Sequence, residues 1–212
     1  MNILSLETTS EICSLAFIKD NSVKNEMIFQ SSDPAIHLIP NIENILKNSA
    51  TLLSHVDFIA VSSGPGSWTG IRLGLSVAKG LAKGDISRIY CISATQSVFY
   101  SSRQLKLPAI CLINAYGGKM FVSYFNGKFY YVRNYYPEKV PYKDIPGICG
   151  SKEVLLTGPG ITLLPEKIRK MKTVRTVEEY YACPRAGTNG LLAAEKIYRQ
   201  IPSLPLKPYY GR

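Results

Sequence analysis

The sequence has one tryptophan, two histidines and no Cys-x-x-Cys pair, and each shortage removes a class of chemistry. His37 and His55 are far apart and belong to no cluster at ligand spacing, so no zinc or iron site is expected. His55 stands near Asp57, yet no Gly-x-Ser-x-Gly elbow accompanies them, which argues against a Ser-His-Asp hydrolase. The five cysteines, Cys13, Cys91, Cys111, Cys149 and Cys183, are odd in number and scattered. They read as small core residues in a reducing compartment rather than a disulfide framework. No apolar run is long enough to span a bilayer, and the opening Met1–Glu7 reaches a carboxylate with no basic stretch before it. A soluble cytoplasmic protein with no membrane contact is expected.

The 212 residues are 46% hydrophobic, enough for a substantial core in one domain or two small lobes. The net charge of +10 is uneven: basic and acidic residues balance up to Leu105, and the whole basic excess follows it. That excess suits either a solubilising face or contact with nucleic acid.

Ile3–Leu6 and Cys13–Lys19 read as strands, Asp20-Asn21 as a turn, and Val23–Gln30 as a third strand. Ser31-Ser32-Asp33-Pro34 signals a helix start, with Ile36, Ile39, Ile42 and Ile45 or Leu46 at helical spacing up to Ala50. Pro40 predicts a kink or the true first turn. Asp57–Ser62 is a buried strand, a helix spans Ser67–Lys83, and Arg88–Ile92 is a strand followed by a helix capped by Ser93. The pattern then restarts, with tyrosine-rich strands at Pro108–Ile113, Lys119–Phe125 and Lys128–Tyr135, the last two joined by Asn126-Gly127. A strand at Glu153–Thr157, a helix at Ile161–Lys170 and a last helix at Thr188–Ile201 complete it. A β-β-β-α-β-α unit used twice is the plan of the actin-like ATPase, ribonuclease H-like fold. The expected division is an N-terminal lobe over 1–105, completed by a C-terminal helix within 187–212, and a smaller lobe over 106–186.

The segment Gly64-Pro65-Gly66-Ser67-Trp68-Thr69-Gly70-Ile71-Arg72-Leu73-Gly74 is the most informative. Gly64 and Gly66 permit a sharp turn, and Ser67 is placed to cap the helix, whose N-terminus could meet an anion. It lacks the lysine of a Walker loop. Gly66, Gly70, Gly74, Ala78 and Ala82 form a stripe without side-chain bulk. Such a stripe lets another helix approach closely, and the helix starting at Pro34 is the expected neighbour.

The chain resembles the TsaB family in its opening Ile3–Ser10, in His37-Leu38-Ile39-Pro40, in the long glycine motif and in the ending Lys207–Arg212. The resemblance implies an actin-like two-lobe fold and a non-catalytic subunit. It implies binding to a TsaD-like catalytic subunit that adds threonylcarbamoyl to the adenosine beside the anticodon of tRNAs reading codons that start with A. A TsaE-like ATPase joins through the complex, and tRNA is engaged indirectly. It places the partner interface on the first two helices, at Ile36, His37, Ile39, Pro40, Ile42, Glu43, Leu46, Trp68, Arg72, Leu73, Gly74, Val77 and Lys79. The same surface could pair two copies of the isolated chain.

The superfamily hydrolyses ATP with acidic residues at the first strand of each lobe. Here these positions read Glu7-Thr8-Thr9 and Asn114-Ala115-Tyr116, where the resemblance implies Asp at 114 and Arg at 116. No resident cofactor or metal is therefore expected, with ATP or ADP and Mg²⁺ confined to a joint with a partner. Glu7, Thr8, Thr9, Gly64, Gly66 and Ser67 are the candidates for a weak nucleotide or anion contact. Glu7 has a second reading as an acceptor for backbone N–H groups in its own turn. The rival functions are an actin-fold ATPase or small-molecule kinase, and a stand-alone tRNA-binding protein. The latter would use Tyr124, Tyr130, Tyr131, Tyr135, Tyr136 and Tyr142 with nearby lysines, or the cluster Lys167, Arg169, Lys170, Lys172 and Arg175.

Overall fold

The computed structural model describes residues 1–30, 33–126, 137–149, 153–177 and 182–211. Strands β1 (Asn2–Glu7), β2 (Ile12–Lys19) and β3 (Ser22–Gln30) form a meander. Helix α1 (Pro34–Asn48), strand β4 (Phe58–Ser62), helix α2 (Trp68–Leu81), strand β5 (Ile89–Ile92) and helix α3 (Ala94–Ser102) follow. The sheet order is β3-β2-β1-β4-β5, with β1 antiparallel to β2 and parallel to β4.

The second sheet repeats this wiring. Its strands are β6 (Ala109–Asn114), β7 (Lys119–Phe125), β8 (Glu138–Pro141), β9 (Val154–Thr157) and β10 (Val174–Thr176), in the order β10-β9-β6-β7-β8. β6 is antiparallel to β7 and parallel to β9. The crossover helices are reduced to single turns, α4 (Ile145–Cys149) and α5 (Glu166–Arg169). A final helix, α6 (Ala186–Tyr198), returns to the first sheet.

Side-chain alternation along β1 organises the first lobe. Leu4 and Leu6 face α1 and α2, joining Leu38, Ile42, Ile45, Ile71 and Leu75 in one core. Ile3 faces the other way, with Leu192 and Ala193 of α6. Glu7 shares that second face with Ile3. Helix α3 lies between the sheets, packing Val98 and Phe99 against Cys111, Ile113 and Phe125.

Two local expectations are corrected, and a third falls on residues that are not described. The helix foreseen over Ile161–Lys170 is a 3₁₀ turn at Pro159–Leu163 followed by α5, because Pro165 has no N–H with which to continue. Pro40 does not mark the first turn: α1 begins at Pro34 behind the Asp33 carboxylate, which accepts from the Ala35 N–H, and runs through Pro40 to Asn48. The strand foreseen at Lys128–Tyr135 lies outside the described residues, and the β-ladder beside β7 is formed by Glu138–Pro141.

Candidate functional site

Helix α2 is seated on the end of β1. The Thr8 hydroxyl donates to the Gly70 carbonyl at 2.7 Å, and the Ser67 N–H donates to the Thr9 carbonyl at 2.7 Å. A methyl group on Gly70 would run into the Thr8 carbonyl, and one on Gly74 would lie 2.5 Å from the Thr8 hydroxyl and 3.3 Å from Val61. The bare stripe therefore serves close approach to the β1–β2 turn and to β4. At Gly66, Gly70 and Gly74 the neighbour is thus the β1–β2 turn rather than α1, while Ala78 and Ala82 lie in one core cluster with Leu38, Ile42, Ile45 and Leu46 of α1. Gly74 is buried there and is removed from the interface set.

Of the residues expected at a nucleotide or anion contact, Thr8, Thr9, Gly66 and Ser67 line the cleft between the lobes, and Glu7 and Gly64 do not. Glu7 is fully buried. Its Oε1 accepts from the Thr9 N–H at 2.7 Å and the Thr9 hydroxyl at 2.5 Å, and its Oε2 accepts from the Ser62 hydroxyl and from Asn189 Nδ2 at 2.9 Å. The carboxylate ties β1, β4 and α6 together and has no side open to a ligand. Thr8 and Thr9 are buried with it. The Ser67 hydroxyl accepts from the Gly70 N–H at 3.2 Å, and the space over Gly64 is filled by the Tyr209 carbonyl. The Thr9 carbonyl beneath Gly66 presents negative charge to the helix end, the wrong sign for an anion.

Between the lobes lies a cleft of about 630 Å³, lined by the β1–β2 turn, the starts of α1 and α2, the β6–β7 turn and the segment after β9. That volume is within the range of small-molecule sites. Among the described residues its charged lining is Glu11 and Asp33, with no lysine, arginine or histidine. Asn114 enters the lining as a turn-former: its Oδ1 accepts from the Tyr116 N–H at 2.8 Å and from the Tyr142 hydroxyl at 2.9 Å. Among the described residues, a polyphosphate entering this cleft would meet two carboxylates and no cation.

The outer faces of α1 and α2 carry the remaining interface candidates. Ile36 is 66% exposed, Ile39 44% and Trp68 48%. His37, Pro40, Glu43, Arg72 and Lys79 are also exposed, while Leu73 and Val77 are half-buried against the core. Ile42 and Leu46 are buried in that core and leave the interface set, because each three-residue step falls about 60° short of a full helical turn and the row begun at Ile36 and Ile39 drifts round to the core side. Sequence reasoning missed the companion of Trp68. The Tyr210 ring stacks on the indole with centroids 3.7 Å apart, Arg72 Nε donates to the Tyr210 hydroxyl at 2.9 Å, and the guanidinium lies 4.3 Å from the indole centroid.

The other candidates are dispersed. His37 and His55 are exposed, and no group of three His, Cys, Asp or Glu among the described residues could hold a metal ion. Cys13, Cys91, Cys111 and Cys149 are buried and Cys183 half-buried. Lys167, Arg169, Lys170, Lys172 and Arg175 are exposed, with Lys170 paired to Glu166 and Arg175 to Glu153. Tyr124 is exposed and Tyr142 half-buried, while Tyr130, Tyr131, Tyr135 and Tyr136 lie outside the described residues. Among the described residues no helix is long and apolar enough to cross a membrane.

Two sheets with the same strand order and senses, closed over a cleft, define a two-lobe α/β protein of the actin-like, ribonuclease H-like class. YeaZ from Pseudomonas aeruginosa superposes with a TM-score of 0.73 over 99% of both chains at 18% identity. Component A of (R)-2-hydroxyglutaryl-CoA dehydratase from Acidaminococcus fermentans does so at 0.53, covering 93% of this chain and 99% of that one at 10% identity. In sequence, the chain is 36% identical to the tRNA threonylcarbamoyladenosine biosynthesis protein TsaB of Escherichia coli K12 over 84 residues, 40% of this chain and 36% of that protein. It is 29% identical to TsaB of Buchnera aphidicola (Baizongia pistaciae) over 117 residues, 53% of each. The aligned stretches thus span about a third to a half of these relatives. A family profile described as TsaD, tRNA N6-adenosine threonylcarbamoyltransferase, matches residues 32–135. In fold, and over part of its sequence, the chain is similar to the TsaB and YeaZ proteins.

Proposed function

We propose that this chain is a non-catalytic cytoplasmic subunit of the machinery that makes threonylcarbamoyladenosine in tRNAs reading codons that start with A. It docks onto a TsaD-like catalytic subunit through the outer faces of α1 and α2. The observation that carries this reading is the exposure of Ile36, Ile39 and Trp68 on the two helices whose opposite faces build the first core. Large apolar side chains at such density on a lobe of balanced charge suit a protein contact better than a nucleic-acid one. The TsaD profile matches the part of the chain that contains α1 and α2, so a partner built on the same elements can offer a similar pair of helices in return.

The same chemistry weighs against an ATPase or kinase acting alone. The oxygens of Glu7 are spent on internal hydrogen bonds, Asn114 is neutral, and the cleft opposes a polyphosphate with two carboxylates. ATP or ADP with Mg²⁺ belongs at the joint with the partner, a TsaE-like ATPase joins through the complex, and tRNA is met through the partner. In isolation the exposed helices pair two copies of the chain.

Light scattering of the chain mixed with its TsaD-like partner tests this reading. A one-to-one complex is expected, and Ile36→Asp with Ile39→Asp should abolish it without loss of helix content. A complex that survives the double change places the interface elsewhere. Strong, salt-sensitive tRNA binding by the isolated chain would favour the stand-alone binder instead.

A further inference from the structure

The last residues of the chain run between the lobes. After α6, the Ser203 hydroxyl accepts from the Cys91 N–H at 2.8 Å and the Leu204 N–H donates to the Cys91 carbonyl at 3.3 Å, laying the segment along β5. The Tyr209 N–H then donates to the Ser63 carbonyl at 2.8 Å, just past β4.

From there two consecutive tyrosines engage different lobes. Tyr210 stacks on Trp68 and accepts from Arg72, both on α2. The Tyr209 hydroxyl donates to the Pro137 carbonyl of the second lobe at 2.7 Å, and its ring centroid lies 6.3 Å from that of Phe121. Gly211, at φ +75°, fits tightly against the same lobe: a methyl group there would run into the Phe121 ring and lie 2.7 Å from the Lys139 side chain. Free tails fray unless tied down, and this one is held on both sides of the cleft.

We infer that residues 207–211 form a strap linking the docking face of α2 to the second lobe, so that a protein gripping Trp68 and a change in the interlobe cleft act on each other through Tyr209 and Tyr210. The link is a property of the free chain. Its use as a sensor of a TsaD-like partner rests on the proposed function. Trp68, Arg72 and Tyr210 are residue types that dominate binding energy at protein interfaces, and here they are held in place before a partner arrives. A partner that pulls Tyr210 outward loosens Tyr209, and whatever spreads the lobes withdraws Tyr210 from the indole. Such coupling is reciprocal by thermodynamic necessity.

Trp68 is the only tryptophan in the chain, so its fluorescence reports one end of the strap without a label. Tyr209→Ala, which removes the grip on the second lobe, should shift Trp68 emission to longer wavelength and increase its quenching by acrylamide. Tyr209→Phe, which removes only the bond to Pro137, should do the same more weakly. In the other direction, Trp68→Ala should raise amide hydrogen exchange in β7 and β8 by at least about fivefold, the low end of ordinary coupling between sites. Far-UV circular dichroism checks that each variant is folded. If a folded Tyr209→Ala leaves Trp68 unchanged, or a folded Trp68→Ala leaves β7 and β8 unchanged, there is no link. Adding the TsaD-like subunit to the wild-type chain should change β7 and β8 exchange. If the subunit binds and that exchange stays constant, sensing is overturned while docking stands; if it does not bind, the proposed function fails and the free-chain results still decide the link.

Discussion

The hydroxyl of Thr8 donates a 2.7 Å hydrogen bond to the carbonyl of Gly70, across 62 positions of sequence. That bond exists because α2 presents no side chain at positions 70 and 74, and it holds α2 on the end of the first strand.

The glycines of α2 should therefore respond in opposite directions. Gly74→Ala forces a methyl group against Thr8 and Val61, and overpacking of this kind costs about 1–3 kcal/mol. Gly80 has nothing within 4 Å of an added methyl group, so Gly80→Ala should gain about 0.5–1 kcal/mol from helix propensity. Urea unfolding of the two variants checks both signs.

Glu7 is a structural carboxylate and its loss should be felt as instability. Glu7→Ala leaves the Thr9 N–H, the Thr9 hydroxyl and the Ser62 hydroxyl without their shared acceptor, while Asn189 Nδ2 keeps the Leu6 carbonyl and the Ser62 hydroxyl. Each buried donor so stranded costs about 1–3 kcal/mol before relaxation, so the variant should be grossly destabilised or unfolded at 37 °C on the order of magnitude expected for a protein of ordinary stability. Glu7→Gln, which keeps the shape, should be milder. A Glu7→Ala chain as stable as wild type in thermal unfolding would remove this role.

The isolated chain should bind Mg-ATP no more tightly than a weak surface contact, because no cation is among the described residues lining the cleft and Glu11 and Asp33 repel the phosphates. Isothermal titration decides this. Saturable binding that survives Glu11→Gln and Asp33→Asn would contradict it.

Lys196 makes stability depend on pH in a stated direction. Its ammonium group donates to Gln96 Oε1 at 2.9 Å, and burial pushes its pKa down from 10.5 to about 8. Below about pH 8 both folded and unfolded chains hold the proton, and the folded state carries the full cost of the buried charge. Between about 8 and 10.5 the unfolded chain binds more protons, so this group makes stability rise with pH through that window and level off above it. The thiols of Cys13 and Cys91 work against it above 9.0, because burial raises both to about 11 and the unfolded chain ionises first. Comparison with Lys196→Met cancels the thiols. The advantage of the variant over wild type should shrink by about 3 kcal/mol between neutral pH and the top of the window, measured by denaturant unfolding. A difference that is flat with pH would mean that Lys196 is not neutral in the folded chain there.

Much of the architecture is local information. The strand alternation of β1 and β2, the Asp20-Asn21 turn, the Ser67 cap and the restart after Leu105 can be read because each depends on residues within a few positions of one another. The shrunken helices of the second lobe show the same locality: the break inside Ile161–Lys170 falls at Pro165, a local signal that the expected helix passed over.

By itself, the sequence determined that two similar units would form, that the second helix would carry a bare stripe, and that Ile36, Ile39 and Trp68 would sit on helices near the start of the chain. Only the tertiary structure decided what met them. Gly70 and Gly74 of the stripe face Thr8, Ile42 and Leu46 face inward, Glu7 is enclosed by Ser62 and Asn189, and Trp68 is matched by Tyr210, 142 positions later. Periodicity tells which residues share a face of an element. Which face turns inward, and what closes over it, depends on contacts between distant segments that form only when the whole core packs.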